Sequence, residues 1–259
     1  MGVRRISSPV FVGRRSELAA LDAMLALARD GDGSVVLVEG EAGIGKSRLM
    51  ARLESRAGAA GVAVLVGECL PLAEGELAFA PIVAALRSVI LDPEVLAGLE
   101  PALRGALGAL WPVAGSEPHR HSDREQLFEA VYRVLARLAA RQPVLLILED
   151  VHWVDPSSRD LLSFIVHNAR RDRLVVVATY RPDEFHRGHP LRPFVAELER
   201  SGQAERLELG GLDHADVTEQ IRSIAGRQLP AGTIDAIFAR SEGNPFFVEE
   251  LLAGTSRGG

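Results

Sequence analysis

The sequence predicts an α/β fold, a parallel sheet covered on both faces by helices, and three observations carry that prediction. Short β-branched and apolar runs, such as Ser34-Val35-Val36-Leu37-Val38-Glu39 and Val144-Leu145-Leu146-Ile147-Leu148, have the length of strands buried on both sides. Between them lie longer stretches whose apolar residues recur at three- and four-residue spacing, the signature of covering helices. The chain has 259 residues, 47% of them hydrophobic and 25% charged, which suffices for a large core without disulfides or a structural metal.

Each element follows in order. Leu18, Leu21, Leu25 and Ala28 predict a helix over 14–29, begun after Gly13 and ended by Asp30-Gly31-Asp32-Gly33. A first strand over 34–39 runs into a glycine-rich turn, and a helix begins at Lys46 with Leu49, Met50 and Leu53 on its apolar face. A second strand covers 62–66 after the turn at 58–61. Residues 77–141 read as helical throughout, with Ile82, Val83, Leu86, Val89 and Ile90 on one face and Leu127, Val131, Val134, Leu135 and Leu138 on another. A loop with Pro, Gly and His around 112–122 divides them. The third strand is 144–148 and the fourth 174–179. Asp155 as N-cap and Pro156 in the first turn mark the start of the helix between them. A helix over 190–200 precedes a fifth strand at 206–209, the pattern is helical from about Asp213, and the tail 254–259 is expected to fray. The division is a core over 1–211 with a helical insertion at about 77–141, followed by a helical lid over 212–259.

Composition narrows the function classes. No apolar run approaches the roughly 18 residues of a membrane span, and Ser7, Ser8, Pro9 and Gly13-Arg14-Arg15 interrupt any signal-peptide pattern, so the expected compartment is the cytoplasm without membrane contact. A net charge of −6 offers no general positive field and argues against direct nucleic-acid contact. The single Cys69 reads as a small buried residue. His119, His121 and Asp123 lack further clustered ligands, and neither H-E-x-x-H nor G-x-S-x-G occurs, which leaves metal-protease and serine-hydrolase chemistry unsupported.

One count is more informative than the totals. Of 29 basic residues only Lys46 is a lysine. It sits in Gly40-Glu41-Ala42-Gly43-Ile44-Gly45-Lys46-Ser47, two glycines five apart followed by Lys and Ser, the pattern of a loop that wraps phosphates. The strand before it and the helix after it supply the context that such a loop needs. Its main-chain N–H groups converge on phosphate oxygens together with the helix N-terminus, Lys46 reaches the β- and γ-phosphates, and Ser47 is a ligand to Mg²⁺. Glu149-Asp150 close the third strand at the sheet edge where ligands sit. Glu149 is assigned to the metal and Asp150 to the attacking water. Thr179 and Arg181 end the fourth strand and face the γ-phosphate if that strand lies between the first and third. Gly243-Asn244-Pro245 reads equally well as a break between helices.

Phe11-Val12-Gly13-Arg14, the phosphate loop, Leu148-Glu149-Asp150-Val151-His152-Trp153-Val154-Asp155, Thr179-Tyr180-Arg181-Pro182 and Gly243-Asn244-Pro245-Phe246-Phe247 occur in that order. This ordered set, spanning about residues 10–253, resembles the nucleotide-binding module of the STAND ATPases, an AAA-like branch of the P-loop proteins, and most of all the large ATP-binding regulators of the LuxR family. The resemblance implies a P-loop NTPase fold with strand order 5-1-4-3-2 and a small helical lid. It implies adenine contacts from Val12, Gly13, Arg14 and Pro245, and a nucleotide loop extending from Gly40 through Ser47 to Arg48. It further implies a slow, Mg²⁺-dependent ATPase that serves as a switch, self-associating with ATP and closing with ADP. The effector domains that follow in those regulators are not found in this chain, and the lid reads as truncated by family standards. Glu149 stands where many relatives have Asp, and Asp150 where many AAA proteins have the longer Glu, which implies slow turnover.

Three functions are therefore weighed. The first is an ATP-binding, slowly hydrolysing switch module of a signal-transduction or transcription regulator. The second is a nucleotide-binding scaffold that controls self-association without turnover. The third, a small-molecule kinase, is disfavoured because no acceptor pocket is recognisable.

Overall fold

The computed structural model describes residues 7–71, 78–90, 92–108, 110, 124–184 and 188–255. Five strands form one parallel sheet: β1 (Ser34–Glu39), β2 (Ala63–Glu68), β3 (Val144–Glu149), β4 (Leu174–Tyr180) and β5 (Glu205–Glu208), in the spatial order β2-β3-β4-β1-β5. Every neighbouring pair is parallel, and read from the other edge this is the order 5-1-4-3-2. Parallel strands need long crossovers, which the helices between them supply.

The strands are apolar throughout because both faces are covered. Val36, Val38, Leu145, Ile147, Val175 and Val177 point to one face and pack on α1 (Arg15–Arg29) and α2 (Lys46–Ala59) through Leu21, Leu25, Leu49 and Leu53. The alternate residues Leu37, Leu146, Leu148, Val176 and Ala178 face a larger cluster. That cluster is built by α3 (Ala80–Ile90), α4 (Pro93–Ala97), α5 (Pro101–Leu107), α6 (Arg124–Arg141), α7 (Pro156–Asn168) and α8 (Leu191–Arg200). β5 is an exposed edge strand, tied inward by Arg206, whose Nη2 donates to the buried Glu39 carboxylate at 2.5 Å. Tyr180 Oη donates to the other oxygen of Glu39 at 2.7 Å. Beyond β5, α9 (His214–Ala225), α10 (Ala231–Ser241) and α11 (Pro245–Thr255) enclose a separate small core of Val217, Ile221, Ile234, Ile237, Val248 and Leu252.

Several boundaries differ from the sequence expectation for physical reasons. β2 runs on through Gly67 and Glu68, because both find register partners on β3 in Leu148 and Glu149. β5 lies one residue earlier than 206–209, where Glu205 pairs with Val36. Before the loop around 112–122 the helical stretch is itself divided into α3, α4 and α5. Pro93 and Pro101 each lack a donor and so begin new helices, α4 behind the N-cap Asp92 and α5 behind Glu100. Asp155 and Pro156 start α7 as the sequence predicts, with Asp155 Oδ1 accepting from the main-chain N–H groups of Ser157 and Ser158 at 3.0 and 2.9 Å. The expectations for the amino-terminal Met1 to Arg5, the loop around 112–122 with His119 and His121, and the end of the tail at 256–259 lie outside the described residues. Among the described residues no helix is long and apolar enough to cross a membrane.

Candidate functional site

The site forms at the carboxyl edge of the sheet, where β1, β3 and β4 end side by side. Gly43 and Gly45 have φ of 76° and 103°, a left-handed backbone that glycine adopts without strain. Gly45 leads into α2 with no side-chain cap, so the first turn keeps its main-chain N–H groups and the positive end of the helix dipole for an anion. Gly43 is also demanded by space, since a Cβ there would lie 2.6 Å from Phe246 Cβ on α11.

Lys46 is buried, and its Nζ donates to the carbonyls of Gly40 at 2.6 Å and Glu41 at 2.9 Å. The ammonium therefore spans the loop that carries it. Burial pulls its pKa below the ordinary lysine value, and the nearby Asp150 charge opposes that pull. Gly43, Gly45, Lys46, Ser47 and Arg48 line a cavity of about 370 Å³ whose other walls include Asp150, Arg181 and Pro245.

Glu149 ends β3, and burial raises its carboxyl above the usual range while the neighbouring Ser47 hydroxyl works the other way. Two hard oxygen donors thus meet at the loop. Mg²⁺ is bound elsewhere through one or two protein oxygens, phosphates and retained water, so this pair suits it even though no cluster of three or more His, Cys, Asp or Glu occurs among the described residues.

Asp150 adopts φ 55° and ψ 46°, an uncommon conformation for a residue with a side chain. Its N–H donates to Thr179 Oγ1 at 2.9 Å. Thr179 is 1% exposed, so its hydroxyl supports the turn at Asp150 from beneath and is not among the residues lining the cavity. β4 does lie between β1 and β3, and Arg181 follows it into the cavity wall. Arg181 Nε is 3.8 Å from Asp150 Oδ1, and Nη1 donates to Glu184 Oε1 at 3.1 Å. His152 lies against Asp150 and Glu184, and its burial lowers its pKa.

The other end of the loop meets the amino-terminal strap. Val12, Arg14, Ile44, Gly45, Arg48 and Pro245 come together around a narrow cleft with Phe11 and Leu212. Arg14, also left-handed, donates from Nη2 to Ile44 O at 3.1 Å and to Gly210 O at 2.5 Å. Gly13 has φ 70°, and a Cβ there would meet Asp216 Oδ2 at 2.5 Å, so only glycine brings the strap against α9. The Arg48 guanidinium donates to Ser8 O at 2.5 Å and lies 3.5 Å from Glu249 Oε1, joining strap, α2 and α11. Asn244 completes the arrangement: its Nδ2 donates to Ala42 O at 3.0 Å, and Phe246 N donates to Gly43 O at 3.3 Å. Cys69 stands apart, buried, its thiol pushed up to about 12 chiefly by desolvation.

The roles of Asn244, Glu249, Glu184 and His152 escaped the sequence reading. Asn244 was visible as part of a helix break, and His152 within the run after the third strand, but their partners lie on other elements.

Residues 10–177 match the family described as AAA ATPase domain. An uncharacterized protein of Rhizobium meliloti (strain 1021) is 30% identical over 278 residues, covering 98% of this chain and 26% of that protein. The chain thus spans about a quarter of that relative's length. Among solved structures, the ORC1 protein of Aeropyrum pernix in complex with DNA aligns with TM-score 0.53 at 20% identity, over 96% of this chain and 60% of that one. The Drosophila ORC bound to DNA aligns with TM-score 0.55 at 11% identity, over 96% and 56%. At these identities the two structures establish a shared fold.

Proposed function

The chain belongs to the AAA ATPase domain family, and from that premise we propose that it is an ATP-binding, slowly hydrolysing switch module of a signal-transduction or transcription regulator. One observation carries the reading most directly. An uncapped helix start, a buried ammonium, a hydroxyl, a carboxylate and a guanidinium converge on one cavity at the carboxyl edge of the sheet. That set suits a nucleotide's phosphates together with an attacking water.

In this reading Gly40, Glu41, Ala42, Gly43, Ile44 and Gly45 shape the loop, and α2 receives the phosphates with Lys46. Ser47 and Glu149 hold Mg²⁺, which when bound neutralises phosphate charge. Val12, Gly13, Arg14, Arg48 and Pro245 frame the base and sugar. Asp150 takes the proton of the attacking water as the new bond to the γ-phosphorus forms and the bond to the ADP oxygen breaks. Thr179 holds Asp150 in its turn, and Arg181 faces the transferred phosphoryl group. The lid, tied to the loop through Asn244, moves with the nucleotide, self-associates in the ATP form and acts on effector domains. The working compartment is the cytoplasm, and the module itself does not contact nucleic acid or membrane.

Calorimetric titration with ATP and Mg²⁺, paired with single-turnover hydrolysis, tests this. Lys46→Ala is expected to weaken ATP binding at least 100-fold, by analogy with the loss of a buried charged partner. Asp150→Asn is expected to bind ATP within about three-fold of the parent and to slow hydrolysis by about 10²–10⁴. ATP affinity unchanged in Lys46→Ala would remove the phosphate-loop assignment. Parental turnover in Asp150→Asn would remove Asp150 as the base, and no turnover in either protein with binding intact would leave the non-hydrolysing scaffold.

A further inference from the structure

His152 has no role in the reading above, yet its surroundings single it out. It lies in the short 3-10 turn Val151–Trp153 directly after Asp150, with its side chain 1% exposed. Nδ1 is 3.9 Å from Asp150 Oδ1, and Nε2 is 3.8 Å from Glu184 Oε2. Among the described residues neither ring nitrogen has a hydrogen bond, and the same holds for the buried Nε of Arg181, 3.8 Å from the same Asp150 oxygen. Only the fourth contact, Arg181 Nη1 to Glu184 Oε1 at 3.1 Å, is at bonding distance. Asp150, His152, Glu184 and Arg181 therefore form a closed ring of alternating donors and acceptors. Three of its links, at 3.8–3.9 Å, are about 1 Å longer than a typical hydrogen bond.

Such a ring has two ways to tighten. A neutral imidazole carries one N–H, and an ionised carboxylate only accepts, so His152 donates either to Asp150 from Nδ1 or to Glu184 from Nε2. Burial favours the neutral ring, while Asp150 and Glu184 act against that preference and Arg181 and Lys46 support it. The backbone at this point is held, since His189 Nε2 lies 3.1 Å from His152 O and the Trp153 ring packs 5.4 Å from the imidazole. The side chains of the ring therefore have to make the adjustment. Arg181 also lines the phosphate cavity, so a guanidinium drawn toward a phosphate leaves Asp150 Oδ1 with His152 as its neighbouring donor.

We propose that His152 is a positioning residue for Asp150: its Nδ1–H closes on Asp150 Oδ1 when nucleotide engages Arg181, and so aims the second carboxylate oxygen at the attacking water. This deepens the hydrolytic reading and rests on it. The water's proton passes to Asp150 Oδ2, and the imidazole keeps its own proton on Nδ1 throughout.

Two substitutions separate the two nitrogens, because an Asn amide places its donor near the position of Nδ1 and a Gln amide near that of Nε2. Both His152→Asn and His152→Gln are expected to bind ATP within about two-fold of the parent. His152→Asn is expected to hydrolyse within about three-fold of the parent, and His152→Gln about 10- to 100-fold more slowly. Equal rates for the two variants, or a faster Gln variant, overturn the proposal. The parent supplies a measurement independent of turnover and of variant folding. Nitrogen-15 spectra of the His152 ring with a non-hydrolysable ATP analogue are expected to show the Nδ1–H tautomer, and an Nε2–H tautomer overturns the proposal. Asp150→Asn serves as the control on the underlying reading. If it hydrolyses like the parent, the hydrolytic assignment fails, and the ring spectra still report whether His152 donates to Asp150.

Discussion

At the scale of single residues, the buried imidazole makes the protein's stability depend on pH with a definite sign. Burial sets the His152 pKa in the folded chain below its ordinary value of 6.5. Between those two values the unfolded chain binds a proton that the folded chain does not, so stability falls as pH falls through the window. Above it the term vanishes. Urea midpoints measured at about pH 7.5 and about pH 5.5 should drop for the parent and drop less for His152→Gln, the difference isolating this one side chain from the other histidines. Equal drops would mean that His152 is already charged in the folded protein. Lys46 shows a different property at the same scale: its ammonium shapes the loop before it meets a ligand, through the two carbonyls it bridges. A guanidinium is planar and forked and would not sit between those carbonyls in the same way.

At the scale of elements, α7 depends on its first turn. Asp155 accepts from the N–H groups of Ser157 and Ser158 and from the Ser158 hydroxyl, so Asp155→Ala is expected to cost about 1–2 kcal/mol and to lower Tm by a few degrees. A thermal melt of the variant within 1 °C of the parent, by roughly that measure, would show the cap to be redundant. The strands and their helices were legible in the sequence because burial on both faces leaves an uninterrupted apolar run, as in Val144 to Leu148, and because caps such as Asp155-Pro156 are local chemistry. The phosphate loop was legible for the same reason, its residues being consecutive. The ring around Asp150 was not. It depends on the parallel pairing that sets Leu148 against Ala178 and so brings the turn after β3 beside the segment after β4, a relation that no local spacing encodes. The prolines that divide 77–141 were present in the sequence but were outweighed there by helical periodicity on either side.

At the scale of the whole molecule, Asn244 is one of the links between the lid and the phosphate loop. Asn244 is 4% exposed and serves both sides, donating to Ala42 O and accepting from Phe246 N at 3.1 Å. Asn244→Ala leaves Ala42 O without this donor, at a cost of about 1–3 kcal/mol. We expect faster amide exchange across α9, α10 and α11, with ATP affinity lowered about 10-fold and the exchange of β1, β3 and β4 unchanged. Uniformly faster exchange would place Asn244 in the global fold instead. This contact joins residues 202 positions apart, which is why Gly243-Asn244-Pro245 taken alone reads equally well as a simple helix break. Asn244 and Phe246 hold the loop by its main-chain oxygens, those of Ala42 and Gly43, beside the Arg48–Glu249 ion pair. The lid's posture therefore tracks the path of the backbone there and does not depend on the side chains of Glu41 and Ala42, while Gly43 has to remain glycine to admit Phe246. Exchanging Ala42 for a larger side chain, or reversing the charge of Glu41, should leave the communication intact, whereas a single inserted residue should silence it.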